Sequence, residues 1–181
     1  MNSAEIAATS LLKNLWTDKG KSLPVDPAVL ASELGINVVE GQLPTDVSGA
    51  LIKKEGEDPV VLLNQNDSVT RKRFTCAHEI GHYIERIFFS SADHRNAYEY
   101  VDFRTATVQE KKSESELFAD DFAAELLMPR GEVNAVLSAI TDDIQQIESN
   151  DNVSMAKVLP VAERFGVSNS AAIYRIKYLD K

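Results

Sequence analysis

The chain has 181 residues, 44% of them hydrophobic, with a mean hydropathy of −0.21, which suits one globular domain of ordinary size with a small helical addition. No apolar run approaches a membrane span, and Met1–Ser10 carries Glu5 and no basic region, so a secretory leader is not expected. A formal charge of −9 and a pI near 4.8 argue against a surface that binds nucleic acid through phosphates. The single cysteine excludes an intramolecular disulfide, which makes a reducing cytoplasm the expected compartment.

Ala4–Trp16 reads as an amphipathic helix, and Asp26-Pro27 begins a short second one that runs through Leu34 and is closed by Gly35. The hydrophobic period then changes. Ile36–Glu40, Val47–Lys54 and Val60–Asn64 read as strands, separated by turn-forming stretches around Gly41–Asp46 and Glu55–Pro59. Together they predict a small antiparallel sheet. Val60–Asn64 fits either an edge strand, open to pairing with an extended peptide, or an interior strand.

The next segment is a long helix with Asp67 or Ser68 as N-cap, since no proline or glycine interrupts Val69–Ile80. Val69, Cys76, Ala77, Ile80, Ile84 and Ile87 form its apolar arc, with Cys76 a small buried hydrophobe. Arg73 lies inside that arc and so requires a carboxylate or carbonyl partner. On the opposite side stands His78-Glu79-Ile80-Gly81-His82. At ~100° per residue the two histidines project within ~40° of each other, one turn apart, where both imidazoles can reach one ion at ~2.0–2.1 Å. Glu79 points ~100° away, placed to take a proton from water beside such an ion rather than to hold it.

Phe88–Lys112 is a long polar connection in which Tyr98, Tyr100 and Phe103 suggest a hairpin, a lid or a satellite packing cluster. Ser113 then opens a helix that places Glu116, Ala119, Asp120, Ala123 and Leu127 on one side. A catalytic zinc needs a third protein ligand and an open fourth position. Glu116 is the first candidate and Glu114 the next. Glu85 is a full ~10 Å of helix from His78, and His94 sits in a polar stretch without the spacing of a third histidine. Ala119 and Ala123 facing Gly81 would let the two helices approach closely enough to share an ion, and Asp120 would accept the remaining ring N–H of a ligand histidine.

Arg73–Tyr83 and Glu116–Pro129 together resemble the ImmA/IrrE-type metallopeptidases, which belong with the thermolysin-like zincins. Weaker echoes at Leu23–Pro27, Leu34–Ile36, Val47–Gly49 and Val60–Asn64 extend the resemblance over most of Pro24–Arg130. It implies zinc on His78, His82 and Glu116 and a catalytic role for Glu79. Many relatives carry a further histidine where this chain reads Ile84-Glu85-Arg86. The implied fold is α+β, a small antiparallel sheet on a zincin-like active-site helix. Residues 1–130 would form the metallopeptidase domain and 131–181 a helical C-terminal subdomain.

In that subdomain, Ser154–Phe165, Gly166-Val167-Ser168 and Asn169–Leu179 outline a helix-turn-helix with Ser154 and Ser168 as caps. Its charges are a poor match to DNA, because Lys157, Arg164, Arg175, Lys177 and Lys181 face Asp151, Glu163 and Asp180. A module that packs on the catalytic part or docks a partner is the preferred reading. The resemblance further implies cleavage of a helix-turn-helix repressor that relieves transcriptional repression on a mobile element or in a stress response. The alternatives are a non-catalytic, zinc-stapled regulator and a toxin-like peptidase paired with an antitoxin.

Overall fold

The structure, a computed structural model, describes residues 1–89, 97–103, 112–140 and 153–179. Its first helix, α1 (Ser3–Leu12), begins with a reciprocal cap. The Asn2 side chain accepts from the Glu5 backbone N–H at 2.9 Å, and the Glu5 carboxylate accepts from the Asn2 N–H at 2.9 Å. The helical stretch expected through Trp16 widens into a π-helical segment at Lys13–Thr17, which turns the Trp16 indole inward to donate to the Ser22 carbonyl at 3.0 Å. Helix α2 (Pro27–Glu33) has Asp26 as N-cap and Pro27 in its first turn, where the missing N–H costs nothing.

Strands β1 (Asn37–Gly41), β2 (Val47–Lys53) and β3 (Val60–Asn64) lie within a residue or so of their expected spans. A fourth strand, β4 (Tyr98–Phe103), comes from the connection read above as a hairpin, lid or packing cluster. The sheet order is β1-β3-β2-β4. It is mixed rather than wholly antiparallel, because β1 runs parallel to β3 while β2 is antiparallel to both β3 and β4. Of the two readings of Val60–Asn64 the interior one holds. The edge nearer the histidines is β4, whose alternating aromatic residues are the period of a half-buried strand.

Helix α3 (Val69–Phe88) crosses one face of the sheet, with Ser68 accepting from the Arg71 N–H at 3.2 Å as its cap. Gly49 marks the crossing. A Cβ there would lie 2.5 Å from Thr75 Cγ2 and 2.8 Å from the Leu62 carbonyl oxygen, so only glycine admits this spacing of β2 and α3. Leu51 and Val61 from the sheet meet Cys76, Ile80 and Ile84 in the core. Val69, counted in the apolar arc from sequence, is exposed in the first turn.

Helix α4 (Glu114–Leu127) lies against α3 and is covered on its other side by α1. It is followed by α5 (Arg130–Ser138), α6 (Met155–Phe165) and α7 (Asn169–Leu179), with Gly166 in the left-handed region at φ 61° between the last two. Ser154 and Ser168 cap α6 and α7 by accepting from the Ala156 and Ala171 N–H groups. The guanidinium of Arg73 donates to the carbonyls of Val25, Phe165 and Gly166, the carbonyl partners its position demanded. Arg175 is fully buried, donating to the Glu125 carboxylate and to the Met128 carbonyl at 3.0 Å, with Glu5 beyond at 3.9 Å. These contacts pack α6 and α7 onto the motif-bearing part. Among the described residues, no helix is long and apolar enough to cross a membrane.

Candidate metal centre

The α3–α4 contact brings the motif and the distant carboxylate together. At Gly81 a Cβ would sit 2.9 Å from Ala119 Cα, so the backbones touch where the alanines were expected to make room. His78, Glu79 and His82 are buried, and Glu116 reaches them from the first turn of α4. His78 Nε2 and His82 Nε2 lie 3.1 Å apart. Glu116 Oε2 is 3.3 Å from the first and Glu116 Oε1 3.2 Å from the second. Glu114, the alternative ligand, is absent from this cluster, and His94 lies outside the described residues.

The outer nitrogens define the tautomers. His78 Nδ1 is 3.1 Å from Asp120 Oδ1 and donates to it, as expected for the carboxylate one turn beyond Glu116. His82 Nδ1 is 3.1 Å from Ser115 Oγ, whose own proton goes to Glu85. With both Nδ1 atoms protonated and a cation bound, both Nε2 atoms would present lone pairs to it; without the cation, Nε2 protons are shared with Glu116 instead. Two acceptor nitrogens and a carboxylate at such distances repel unless a cation lies among them. Three ligands at ~2.0–2.1 Å from one tetrahedral ion stand ~3.3 Å apart, and the observed 3.1–3.3 Å separations match that spacing. The donor set fits a divalent ion of borderline softness, zinc first among them.

Electrostatics agree with a site built for positive charge. Burial works against a charged His78, but the carboxylates of Asp120, Glu116 and Glu79 outweigh it and push its pKa up to about 10. Hydrogen bonds from the two histidines hold the Glu116 carboxyl well below the usual carboxylate range. Burial also opposes ionisation of Asp120, yet His78 and Lys112 keep it below its ordinary value. Glu79 behaves oppositely. Burial pushes its pKa up to about 8, with Asp102 and Glu116 adding to the rise, while His78 and, more weakly, the backbone of Leu51 pull it down. Neither Glu79 oxygen has a hydrogen bond of ordinary geometry among the described residues. A buried carboxyl group so weakly satisfied is costly, and burial with few partners is the environment that raises its pKa.

Several residues of the site were not singled out from sequence. Ser115 and Glu85 orient His82. Glu85, too far along the helix to share an ion with His78, lies on the histidine face and accepts from the Ser115 hydroxyl that contacts His82. Lys112 pairs with Asp120. Tyr100 of β4 stacks on His82, with ring centroids 4.5 Å apart and planes 11° from parallel. Asp102, on the same strand, accepts from Arg71 and from Thr75 Oγ1, each at 3.4 Å. Tyr100 belongs to the aromatic patch of Phe88–Lys112, but neither its stacking on His82 nor the position of Asp102 has a local signal, because only the pairing of β4 with β2 carries them to the site.

An α+β domain that brings two helix-borne histidines and a second-helix carboxylate to one point defines a class of metal-site domains. The chain belongs to the M78 peptidase family, described as the IrrE N-terminal-like domain, whose family model matches residues 31–177. Among solved structures, one described as a Mycobacterium tuberculosis transcriptional regulator superposes with a TM-score of 0.55 at 16% identity, over 98% of this chain and 47% of that one. The likeness at that identity is one of fold, and this chain spans about half the length of that structure. Among curated protein sequences no match to this chain was found.

Proposed function

We propose that the protein is a zinc-dependent endopeptidase with His78, His82 and Glu116 as metal ligands, Glu79 as the catalytic acid–base and Asp120 as the residue that orients His78. Membership of a peptidase family supports the class. The observation that carries the reading is the convergence of three donor atoms next to a buried Glu79 whose carboxyl oxygens have no hydrogen bond of ordinary geometry among the described residues. Zinc bound there would supply a Lewis acid that acidifies water and polarises a peptide carbonyl. Glu79 takes a proton from the attacking water at a carboxylate oxygen and delivers it to the leaving amide nitrogen. Asp120 and Ser115 keep the two Nδ1 protons in place throughout. A metal that only stapled the fold would need no such base and would fill its fourth position with a Cys or His.

The substrate in this reading is a protein, a helix-turn-helix repressor whose cleavage relieves repression in the cytoplasm. The family resemblance supports that choice, and burial of Arg175 leaves α7 with little positive charge to read DNA itself. We regard residues 1–130 as the metallopeptidase domain and 131–181 as a helical subdomain packed against it. Co-expression with a repressor encoded beside the protein tests the proposal. Discrete repressor fragments that disappear on chelation and with Glu79→Gln are expected, the variant still holding one equivalent of zinc. An intact repressor, or a Glu79→Gln protein that cleaves at full rate, would sink it.

A further inference from the structure

A cavity of about 600 Å³ opens beside the candidate metal centre and is continuous with it through His78 and Asp120. Its opposite wall comes from Val167, Ala171 and Tyr174, in and just before α7, and its floor from Phe74, Ala124 and Met128. The volume is that of a site for a small organic group.

Charge narrows what the cavity can take. The cations on its border are already neutralised, Arg71 by Asp102 at 3.4 Å and Lys112 by Asp120. A charged occupant would have to break one of these pairs, whereas an uncharged apolar one leaves them intact and packs on Phe74 and Ala171, the half-buried apolar residues of the lining. The α7 wall is also fixed in place. Arg175, one residue beyond Tyr174, is anchored to Glu125 and to the Met128 carbonyl, and Glu125 lies on the helix that carries Glu116 and Asp120. The distance from this wall to the candidate ligands is therefore held by one rigid helix.

We infer that this cavity is a substrate subsite for a large uncharged apolar side chain next to the scissile bond, and that Ala171 and Tyr174 of α7 determine which side chain it admits. The inference rests on the zinc-peptidase reading above. In it the helix-turn-helix outline serves as part of the cleft: Ala171 leaves space, and Tyr174, 64% exposed, stands at the rim.

The test uses two small probes on the zinc-loaded full chain, N-acetylglycine hydroxamate and N-acetylleucine hydroxamate, with affinities measured calorimetrically. The leucine probe is expected to bind ~10- to 100-fold more tightly, the span for burying an isobutyl group. It should also shift the methyl resonances of Met128 and Val167, in both metal-loaded and metal-free protein. Ala171→Trp should erase the leucine preference while leaving the glycine probe within about twofold. If that variant fails to fold, Tyr174→Ala, at an exposed position, should weaken the leucine probe selectively. Equal affinity of the two probes, or a leucine preference untouched by both variants, overturns the subsite while leaving the metal site standing. A glycine probe that does not bind at all removes the metal-site reading, and the subsite with it.

Discussion

Replacing Gly81 with alanine adds one methyl group at the closest approach of α3 and α4. The new Cβ would lie 2.9 Å from Ala119 Cα, 3.2 Å from the Ala119 carbonyl oxygen and 3.3 Å from Phe122 Cβ. Ordinary carbon contacts begin at ~3.5 Å, so the helices must separate by roughly 0.6 Å, and the obstructing backbone atoms have no rotamer to escape into. Overpacking of this kind costs about 1–3 kcal/mol, and the upper end applies to a backbone clash. The helix-propensity gain of Gly→Ala returns about 1 kcal/mol, leaving a net loss of about 2 kcal/mol. The metal should feel more than the fold. Glu116 lies one turn before Ala119, so the same displacement widens its 3.2–3.3 Å separations from the histidines, whereas metal bonds tolerate only about 0.2 Å. Zinc affinity should fall about 10- to 100-fold. Urea denaturation of the metal-free chain and competition with a chromophoric chelator measure the two effects. Gly131→Ala is the control: its Cβ would meet nothing within 4 Å, and stability should hold or rise by up to about 1 kcal/mol. A Gly81→Ala protein equal to its parent in both assays would refute the helix-contact account of the site.

Asp120→Ala should weaken zinc binding about 10- to 100-fold without unfolding the chain, because His78 Nδ1 loses its acceptor; chelator competition at constant pH reads it. Arg175→Ala strands the buried carboxylate of Glu125 and should cost about 3–5 kcal/mol in denaturant unfolding, a loss under 1 kcal/mol showing that the pair is not structural. The pH dependences run in opposite directions for the two states of the protein. In the metal-free chain, His78 is raised to about 10 from 6.5 and Glu79 to about 8 from 4.5. Both stabilise the fold below their unfolded values, and this is lost as pH rises through the folded ones, so stability should decline from pH 6 to 9. Zinc must displace the His78 proton, so its affinity should instead rise about tenfold per pH unit over that range. A flat affinity profile between pH 7 and 9 would show that the histidine is already neutral.

What could be read in advance follows how locally each feature is encoded. The span of α3, its Ser68 cap and the facing of His78 and His82 depend on neighbours within a turn or two, and they stand where periodicity placed them. The meeting of Glu116 with the histidines is long-range, yet it was accessible because small residues on both helices, Gly81 and Ala119, imply close approach. Sheet order was less accessible. Val60–Asn64 reads equally as an edge or an interior strand, since the partners that decide it, β1 and β2, are chosen by topology rather than by its own residues. The aromatic alternation of Tyr98 and Tyr100 leaves a hairpin, a lid and a packing cluster all open, and the stacking of Tyr100 on His82 follows only from the pairing of β4 with β2. Arg175, counted among the surface charges of the last helix, is buried because Glu125 and Glu5 lie across from it in folded space.

The guanidinium of Arg73 grips carbonyls from both ends of the chain, Val25 on one side and Phe165 and Gly166 on the other, only five residues before His78. Shortening the protein after Arg130 would strip that cation of two acceptors and leave Glu125 without its guanidinium partner. The histidine helix and the last two helices should therefore melt in a single cooperative step, and a shortened domain cut from this chain would need its tail restored before its histidine helix could stand firm.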